Sequence, residues 1–418
     1  MKFILQLAAK NLMRYKRRTA ITAVAIAFGL MMYVFVDSLL LGAELESMRN
    51  LRWYETASLR VHDSAYWEDR YFFPLEASIE KSKEILDVFK AEGIAATERT
   101  LFAADMILYQ DDFGEDGNMS VQVTAINAET DFEVYRFEDT LVEGRFLKSG
   151  EMDGIVLGRW FAEDIGAKVG YWVTLVTRGK GGFYEAFDMQ VVGIVNCPNP
   201  NVNRTLVMMD IEAADLYLGM EGSVSSIDIM LGEKSDLQQI AQRLQTKLNA
   251  IESDLVIYTW QDLARDYLAI LEAKQGGTGL ILFLVFIIAA VGVSNTMLMA
   301  MYERMRELGM MRALGMKDRD ILLAFLFEAG GIGLLGSVVG LLLGILANLY
   351  LVNVGFDFGF MFRDMDIGFR IQNVMRGAWS LPTFIKAFIS GIGLSMLVAF
   401  LPIRRALKLD IPTCLHHQ

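Results

Sequence analysis

The chain has 418 residues, of which 53% are hydrophobic, and a formal net charge of −12 at pH 7. This length allows membrane-spanning helices and a separate folded domain, whereas the acidic balance excludes a typical nucleic-acid binder, because phosphate affinity requires a basic surface. Residues 41–276 hold 41 of the 51 carboxylates but only 21 of the 39 lysines and arginines, so the rest of the chain is basic. Two cysteines and three histidines exclude a disulfide framework and indicate no zinc site.

Four apolar stretches predict membrane-spanning helices. A helix needs roughly 20 apolar residues to cross a hydrocarbon core about 30 Å thick, because its backbone amides must bond within the segment. The stretches that meet this requirement are 19–40, 278–301, 321–352 and 383–401. Residues 1–18 before the first stretch predict an amphipathic helix.

The basic residues predict the orientation of these spans, because short cytoplasmic segments carry an excess of lysine and arginine. Basic clusters precede the first span, lie in the segment 302–320, and follow the fourth span in the tail 402–418. Both termini are therefore predicted to be cytoplasmic, with residues 41–276 and 353–382 outside. A cleaved signal peptide over residues 1–43 is the alternative interpretation.

The outer segment 41–276 predicts an α+β domain with an inserted β-rich subdomain. Residues 41–115 and 226–276 supply the α+β part, with predicted helices over 41–56, 76–92 and 235–250, the last capped by Ser235. Residues 116–225 are rich in β-branched and aromatic residues separated by glycine-containing turns, which is typical of strands.

The sequence contains no motif for covalent chemistry or nucleotide binding. The phosphate-binding loop Gly-x-x-x-x-Gly-Lys-Ser/Thr is missing, as is Gly-x-Ser-x-Gly. We therefore expect a non-catalytic subunit with no cofactor of its own, and any ATP hydrolysis must come from another chain.

The segment 303–320 between the second and third spans mixes charges with an apolar set at helical spacing. The apolar residues are Met305, Leu308, Met311 and Leu314. A helix with such a face could lie in a groove of a partner protein or rest on lipid headgroups, and the spacing does not distinguish these alternatives.

Small and charged residues within the spans also suggest roles. Gly336, Gly340 and Gly344 recur every fourth residue, which predicts close helix packing within the bundle or, alternatively, between the two chains of a homo- or heterodimer. Asp37 and Glu328 lie near span ends, where we expect their carboxylates to reach the membrane interface rather than conduct ions.

These segments together resemble a known family. Asn295-Thr296-Met297, followed by Glu303-Arg304, Glu307-Leu308-Gly309 and Arg312-Ala313-Leu314-Gly315, is similar to the FtsX-like permease domain of MacB-type and lipoprotein-releasing ABC transporters. Gly144-Arg145-Phe146 and Val191-Val192-Gly193-Ile194 resemble the periplasmic core domain of the same family. The tail departs from the family pattern at Thr413-Cys414-Leu415.

The resemblance implies a mechanotransmission permease in the bacterial inner membrane, with its large domain in the periplasm. It implies partnership with a cytoplasmic ABC ATPase that binds ATP and Mg, with a second permease copy or paralogue, and with a periplasmic carrier or adaptor protein. The loop 302–320 corresponds to the helix that docks on the ATPase. The residues that the resemblance assigns to this coupling are Glu303, Arg304, Arg306, Glu307, Leu308, Gly309, Arg312, Ala313, Leu314 and Gly315.

In size and layout the chain looks most like the lipoprotein-releasing (LolC/LolE) permeases. That resemblance implies an apolar groove for acyl chains. The residues that would line it are Val34, Phe35, Leu39, Leu40, Leu280, Phe283 and Leu284. Ordinary packing between helices is the alternative explanation for the same residues. The turn Pro198-Asn199-Pro200 is expected to project and could contact the carrier. The alternative functions are a MacB-like export permease and an FtsX-like scaffold that controls a cell-wall hydrolase.

Overall fold

The computed structural model of the chain describes residues 6, 8, 10, 12–14, 16–108, 117–232, 235–357, 371 and 374–408. Within these ranges it leaves out the side chains of residues 18, 274–278, 280–282, 285–286, 288–289, 292–293, 296–297 and 300–301. The chain divides into two compact units. We call residues 1–44, 270–363 and 373–418 the helical unit, and residues 45–269 and 364–372 the sheet unit.

The α-helices of the described residues, in chain order, are α1 Lys16–Leu51, α2 Ser64–Glu68, α3 Ser82–Ala91, α4 Asp131–Val134, α5 Arg159–Ile165, α6 Pro200–Thr205, α7 Ile211–Leu218, α8 Leu237–Ile251, α9 Trp260–Leu263, α10 Arg265–Glu303, α11 Met305–Ala313, α12 Asp318–Asn353 and α13 Leu381–Ala406. A π-helical turn at Arg52–Thr56 follows α1, and 3-10 turns lie at Arg70–Phe72 and Glu138–Thr140.

The strands of the described residues are β1 Leu59–Asp63, β2 Ala95–Leu108, β3 Gly117–Ile126, β4 Leu141–Gly144, β5 Gly154–Gly158, β6 Trp172–Arg178, β7 Tyr184–Val195, β8 Val207–Asp210, β9 Ser226–Met230, β10 Leu255–Thr259, β11 Phe356–Asp357 and β12 Val374–Met375.

Among the described residues, three helices are long and apolar enough to cross a membrane: Thr19–Thr56, Asp318–Asn353 and Leu381–Ala406. They contain the first, third and fourth predicted spans. The second predicted span lies within α10, a helix of 39 residues. Because many side chains of α10 lie outside the description, the total of four spans stays a prediction.

Small residues position α12 in the helical unit. A Cβ atom added to Gly340 would lie 2.8 Å from the Ala27 carbonyl oxygen in α1, and one added to Gly336 would lie 2.9 Å from the Ala23 oxygen. Gly344 lies against the side chain of Val34. The α1 helix of the same chain therefore occupies the glycine face of α12. On α13, a Cβ atom at Gly391 would meet the Ser337 hydroxyl oxygen of α12.

The sheet unit is built on one ten-stranded sheet, counted over the described residues, in the order β10-β1-β9-β2-β3-β8-β5-β7-β4, with β6 paired to β2 and β7. Antiparallel pairs predominate, but β3 is parallel to β8, with Val123 opposite Val207, and β5 is parallel to β7. The long strand β2 pairs with β9 from one end of the outer segment and with β3 and β6 from its middle. The α+β part and the β-rich part thus share a single sheet.

Alternation along β1 separates the two faces of this sheet. Leu59 and Val61 are buried in a core with Ile85 and Phe89 of α3 and with α8. Because successive strand residues point to opposite faces, Arg60 and His62 lie on the other face.

Two predicted helix boundaries are wrong. The helix predicted over 76–92 begins only at Ser82, because Ile79 forms a β-bridge with Val224. The cap of α8 is Asp236 rather than Ser235: the Asp236 carboxylate accepts a hydrogen bond from the Gln239 amide.

Candidate coupling site

The connection between α10 and α12 is the short helix α11, set off by backbone breaks at both ends. Arg304 leaves helical geometry, with φ −106° and ψ 12°, and so separates α10 from α11. Gly315 has φ +89°, the left-handed conformation that favours glycine at a helix C-terminus. The motif Arg312-Ala313-Leu314-Gly315 therefore ends α11 and turns the chain towards α12.

The apolar face predicted for this segment is divided between the interior and the surface. Met305 and Leu308 are buried, and Leu308 has 0% exposure. They pack in a core with residues from the adjoining ends of α12 and α13, which are Ile321, Ala329, Ala399, Ile403 and Ala406. Leu314, in contrast, is 88% exposed. Burial of Leu308 contradicts its predicted contact with a partner, because its side chain completes the core of this chain.

A buried ion pair joins the start of α11 to α12. Arg304 Nη1 donates to both carboxylate oxygens of Glu328, at 2.8 and 3.0 Å. The two side chains are 1% and 5% exposed. The expectation that Glu328 reaches the membrane interface is therefore wrong. Asp37 is half-buried and accepts a hydrogen bond of 2.6 Å from the Thr383 hydroxyl of α13.

Two surface ion pairs flank the same helix. Arg14 lies 3.4 Å from Glu307, and Arg312 lies 3.1 Å from Asp318 at the start of α12. These pairs are partly solvated and contribute little to stability, typically about 0 to 1 kcal/mol each. The exposed charged residues of this segment carry both signs, and they are Glu303, Arg306, Lys317, Asp318 and Arg319.

The predicted coupling residues therefore fall into three groups. Arg304, Leu308 and Gly309 are buried, whereas Glu307 and Arg312 are half-buried. The exposed residues are Glu303, Arg306, Ala313, Leu314 and Gly315. Met310, which the prediction left out, is exposed beside them.

The residues of the predicted acyl-chain groove differ in burial, and the groove itself stays a prediction. Val34 is fully buried against Gly344 and is therefore a packing residue of the α1–α12 contact. Leu39 is buried, and Phe35 and Leu40 are half-buried. Phe283 and Leu284 of α10 are exposed, while the side chain of Leu280 lies outside the described residues.

The predicted projecting turn at Pro198-Asn199-Pro200 is instead folded into the sheet unit. Asn199 is fully buried; its Oδ1 accepts from the Asn201 amide and caps α6, while its Nδ2 donates to Glu55 Oε1 at 2.7 Å. Burial also raises the pKa of the neighbouring Cys197 thiol to about 12. A carrier contact through Asn199 is therefore wrong, because its polar groups are already used internally.

Sequence reasoning missed a buried charge network on the polar face of the sheet. Arg60 pairs with Asp228, whose Oδ2 also accepts a hydrogen bond of 2.6 Å from the Tyr135 hydroxyl. Arg99 pairs with Asp131 at 2.8 Å, where burial raises the pKa of the Asp131 carboxyl. The signal was present in β1, where the polar residues Arg60 and His62 alternate with the apolar Leu59 and Val61.

A cavity of about 520 Å³ opens over this network. Tyr66, Trp67 and Phe73 contribute aromatic walls, and His62 lies among the lining residues. His62 stacks on Tyr66 with a ring separation of 4.3 Å, and its Nδ1 donates to the Ser225 carbonyl at 2.7 Å. Among the described residues, no group of three or more His, Cys, Asp or Glu side chains could hold a metal ion.

Comparison with known proteins relates both units to one family. The MacB-like periplasmic core domain matches residues 19–247, more than half of the chain, and the FtsX-like permease C-terminal domain matches residues 279–411. An uncharacterized ABC transporter permease of Methanocaldococcus jannaschii is 27% identical over 49% of this chain and 50% of its own length. The lipoprotein-releasing system transmembrane protein LolC of Neisseria meningitidis is 26% identical over 54% of this chain and 55% of its own.

The macrolide export ATP-binding/permease protein MacB of Pasteurella multocida is 26% identical over 55% of this chain and 34% of its own length. The chain thus spans about half or less of the length of these relatives. The periplasmic region of MacB from Actinobacillus actinomycetemcomitans aligns with a TM-score of 0.37 at 14% identity, covering 53% of this chain and 97% of that one. From the two domain matches, the chain belongs to the family of FtsX-like ABC transporter permeases that carry a MacB-like periplasmic core domain.

Proposed function

We propose that this permease releases lipoproteins from the inner membrane to a periplasmic carrier, and that a separate ATPase subunit drives it by docking on the exposed side of α11. No phosphate-binding loop occurs in this sequence, which is consistent with a separate ATPase subunit. The substrate part of the proposal rests on the chain layout and on the likeness to LolC.

The observation that carries the docking proposal is the position of Leu314. This leucine is 88% exposed at the end of a short helix, four residues after the exposed Met310. Two exposed apolar residues spaced one helical turn apart, Met310 and Leu314, match the pattern of a helix that lays apolar anchors into a groove of a partner.

The docking proposal is tested by Leu314→Asp in the full-length protein. Charging a central apolar anchor typically weakens binding by at least about 2 kcal/mol, or roughly thirtyfold. We expect the variant to reach the membrane in normal amounts and to lose the ATPase on purification. Leu216→Asp is the matched control, because Leu216 is an exposed leucine of α7 in the sheet unit. Equal ATPase recovery with wild type and Leu314→Asp would refute docking at this residue.

The substrate proposal is tested by native mass spectrometry of the purified complex. Copurifying triacylated protein and a lipoprotein carrier would support lipoprotein release. An adaptor with an outer-membrane channel would indicate export instead, and a murein hydrolase would indicate a signalling scaffold.

A further inference from the structure

The Arg304–Glu328 pair lies where three helices of the helical unit meet. Arg304 is the residue at which α10 ends and α11 begins, and Glu328 belongs to α12. The residues next to the pair in sequence, Met305 and Ala329, share one buried core with Ile403 of α13. The pair therefore connects the start of α11 to α12 at a point surrounded by buried apolar side chains.

Stability alone does not account for a charged pair at this position. Moving both charges out of water costs much of what their attraction returns, and apolar residues of similar volume often serve stability equally well. What an ion pair adds is a defined position, because Arg304 Nη1 must stay within hydrogen-bond distance of the Glu328 carboxylate, which restricts how far α11 and α12 can shift relative to each other. The pair is also shielded from salt, unlike the partly exposed Arg14–Glu307 contact.

We propose that Arg304 and Glu328 are positioning residues that make α12 follow α11 when the ATPase moves it. This inference rests on the docking function proposed above. In this mechanism the apolar core around Leu308 holds α11 in place, and the ion pair sets the direction in which α12 is displaced. The glycine contact then passes the displacement from α12 to α1, and the last residues of α1, from 45 to 51, belong to the sheet unit.

The test replaces the charged pair by an apolar one in the full-length permease. The double variant Arg304→Met/Glu328→Met keeps side-chain volume in the core but removes the charge-assisted hydrogen bonds, and Glu328→Gln removes one charge with minimal change in shape. Each permease is purified with its ATPase in nanodiscs. Amide hydrogen exchange is then compared with and without ATP and vanadate, together with thermal stability and the amount of bound ATPase.

We expect both variants to retain the ATPase and to show the nucleotide-dependent exchange change in α11, while the change in α12 and in residues 45–269 falls at least fivefold. Arg14→Gln is the control, because it removes an exposed ion pair of the same helix and should respond like wild type. A normal response of the sheet unit in both variants would overturn the inference, as would loss of the ATPase from both. Failure of wild type to retain an ATPase would instead refute the docking function itself, and with it the basis of the inference.

Discussion

At the scale of single residues, burial separates side chains that the sequence presents as equivalent. Leu308 and Leu314 occupy the same predicted helix face, yet one completes a core and the other is solvent-exposed. Leu308 therefore contributes to folding, whereas Leu314 is available for binding. A substitution at Leu308 would test stability rather than docking.

His62 is the residue whose burial has the clearest pH consequence. Burial is the main cause that lowers its pKa to about 4, with a further contribution from the nearby positive charge of Arg60; the Ser225 hydrogen bond and Asp228 act in the opposite direction. In the unfolded chain the His62 imidazole becomes protonated below about pH 6.5, whereas in the folded chain it stays neutral down to about pH 4. Folding stability is therefore lost as the pH falls from about 6.5 to about 4.

We predict that wild-type protein loses about 3 kcal/mol more stability than His62→Gln between pH 7 and pH 4, since each pKa unit corresponds to about 1.4 kcal/mol. The measurement is denaturant unfolding of the sheet unit, followed by hydrogen exchange of the β1 and β9 amides in the full-length protein. Parallel pH profiles for wild type and variant would show that His62 titrates normally in the folded state.

At the scale of elements, the glycines of α12 let the backbone of α1 approach closely, so α1 is the helix that packs against this face. The spacing of Gly336, Gly340 and Gly344 predicts a face of small residues but does not identify its partner. In the structure α1 lies on that face, so close that any side chain at Gly340 would meet the backbone of Ala27.

We predict that Gly340→Ala destabilises the permease by about 1 to 3 kcal/mol, because a methyl group 2.8 Å from a backbone oxygen forces the helices apart. Thermal unfolding in nanodiscs measures the loss. Gly393→Ala is the matched control, since a Cβ atom at Gly393 of α13 meets nothing within 4 Å. Equal melting temperatures for the two variants would contradict a tight α1–α12 contact.

At the scale of the whole molecule, charge asymmetry is the basis of the predicted membrane orientation. The acidic sheet unit is expected outside, and the basic end of the helical unit inside. Lys408, an exposed residue after α13, and Asn118, an exposed residue of β3, are suitable reporters of the two sides.

We predict that Asn118→Cys reacts with a membrane-impermeant maleimide in intact cells, whereas Lys408→Cys reacts only after permeabilisation. Cys414 is replaced by serine in both variants. Cys197 adds no background, because it is fully buried and its raised pKa keeps the thiol protonated and unreactive. The reverse labelling pattern would invert the proposed topology.

Much of the architecture could be predicted because its signals are local. The run of apolar residues in α12, the β-branched residues of β3 and the helix signals in α8 all lie within one segment, so each could be interpreted without knowing its neighbours. The helix over 76–92 failed at its start for the opposite reason, since Ile79 bonds to Val224 in a distant segment.

For the candidate site, the sequence predicted only which segment of the chain contains it, not which of its side chains are buried or exposed. The charges and glycines of 303–320 indicated a cytoplasmic helix, but the roles of its side chains depended on α13, nearly a hundred residues further on. Asn199 shows the same limit: prolines on both sides suggested a projecting turn, while its hydrogen bond to Glu55 draws it into the sheet unit.

The sequence by itself determined the family, the apolar stretches and the position of the charged helical segment between the second and third stretches, because hydrophobic periodicity, charge clusters and motifs are properties of neighbouring residues. Only the tertiary structure decided that Leu308 is core and Leu314 is surface, that Glu328 binds Arg304, and that α1 covers the glycines of α12. Those outcomes depend on contacts between residues far apart in the chain, which exist only once the helices and strands have packed.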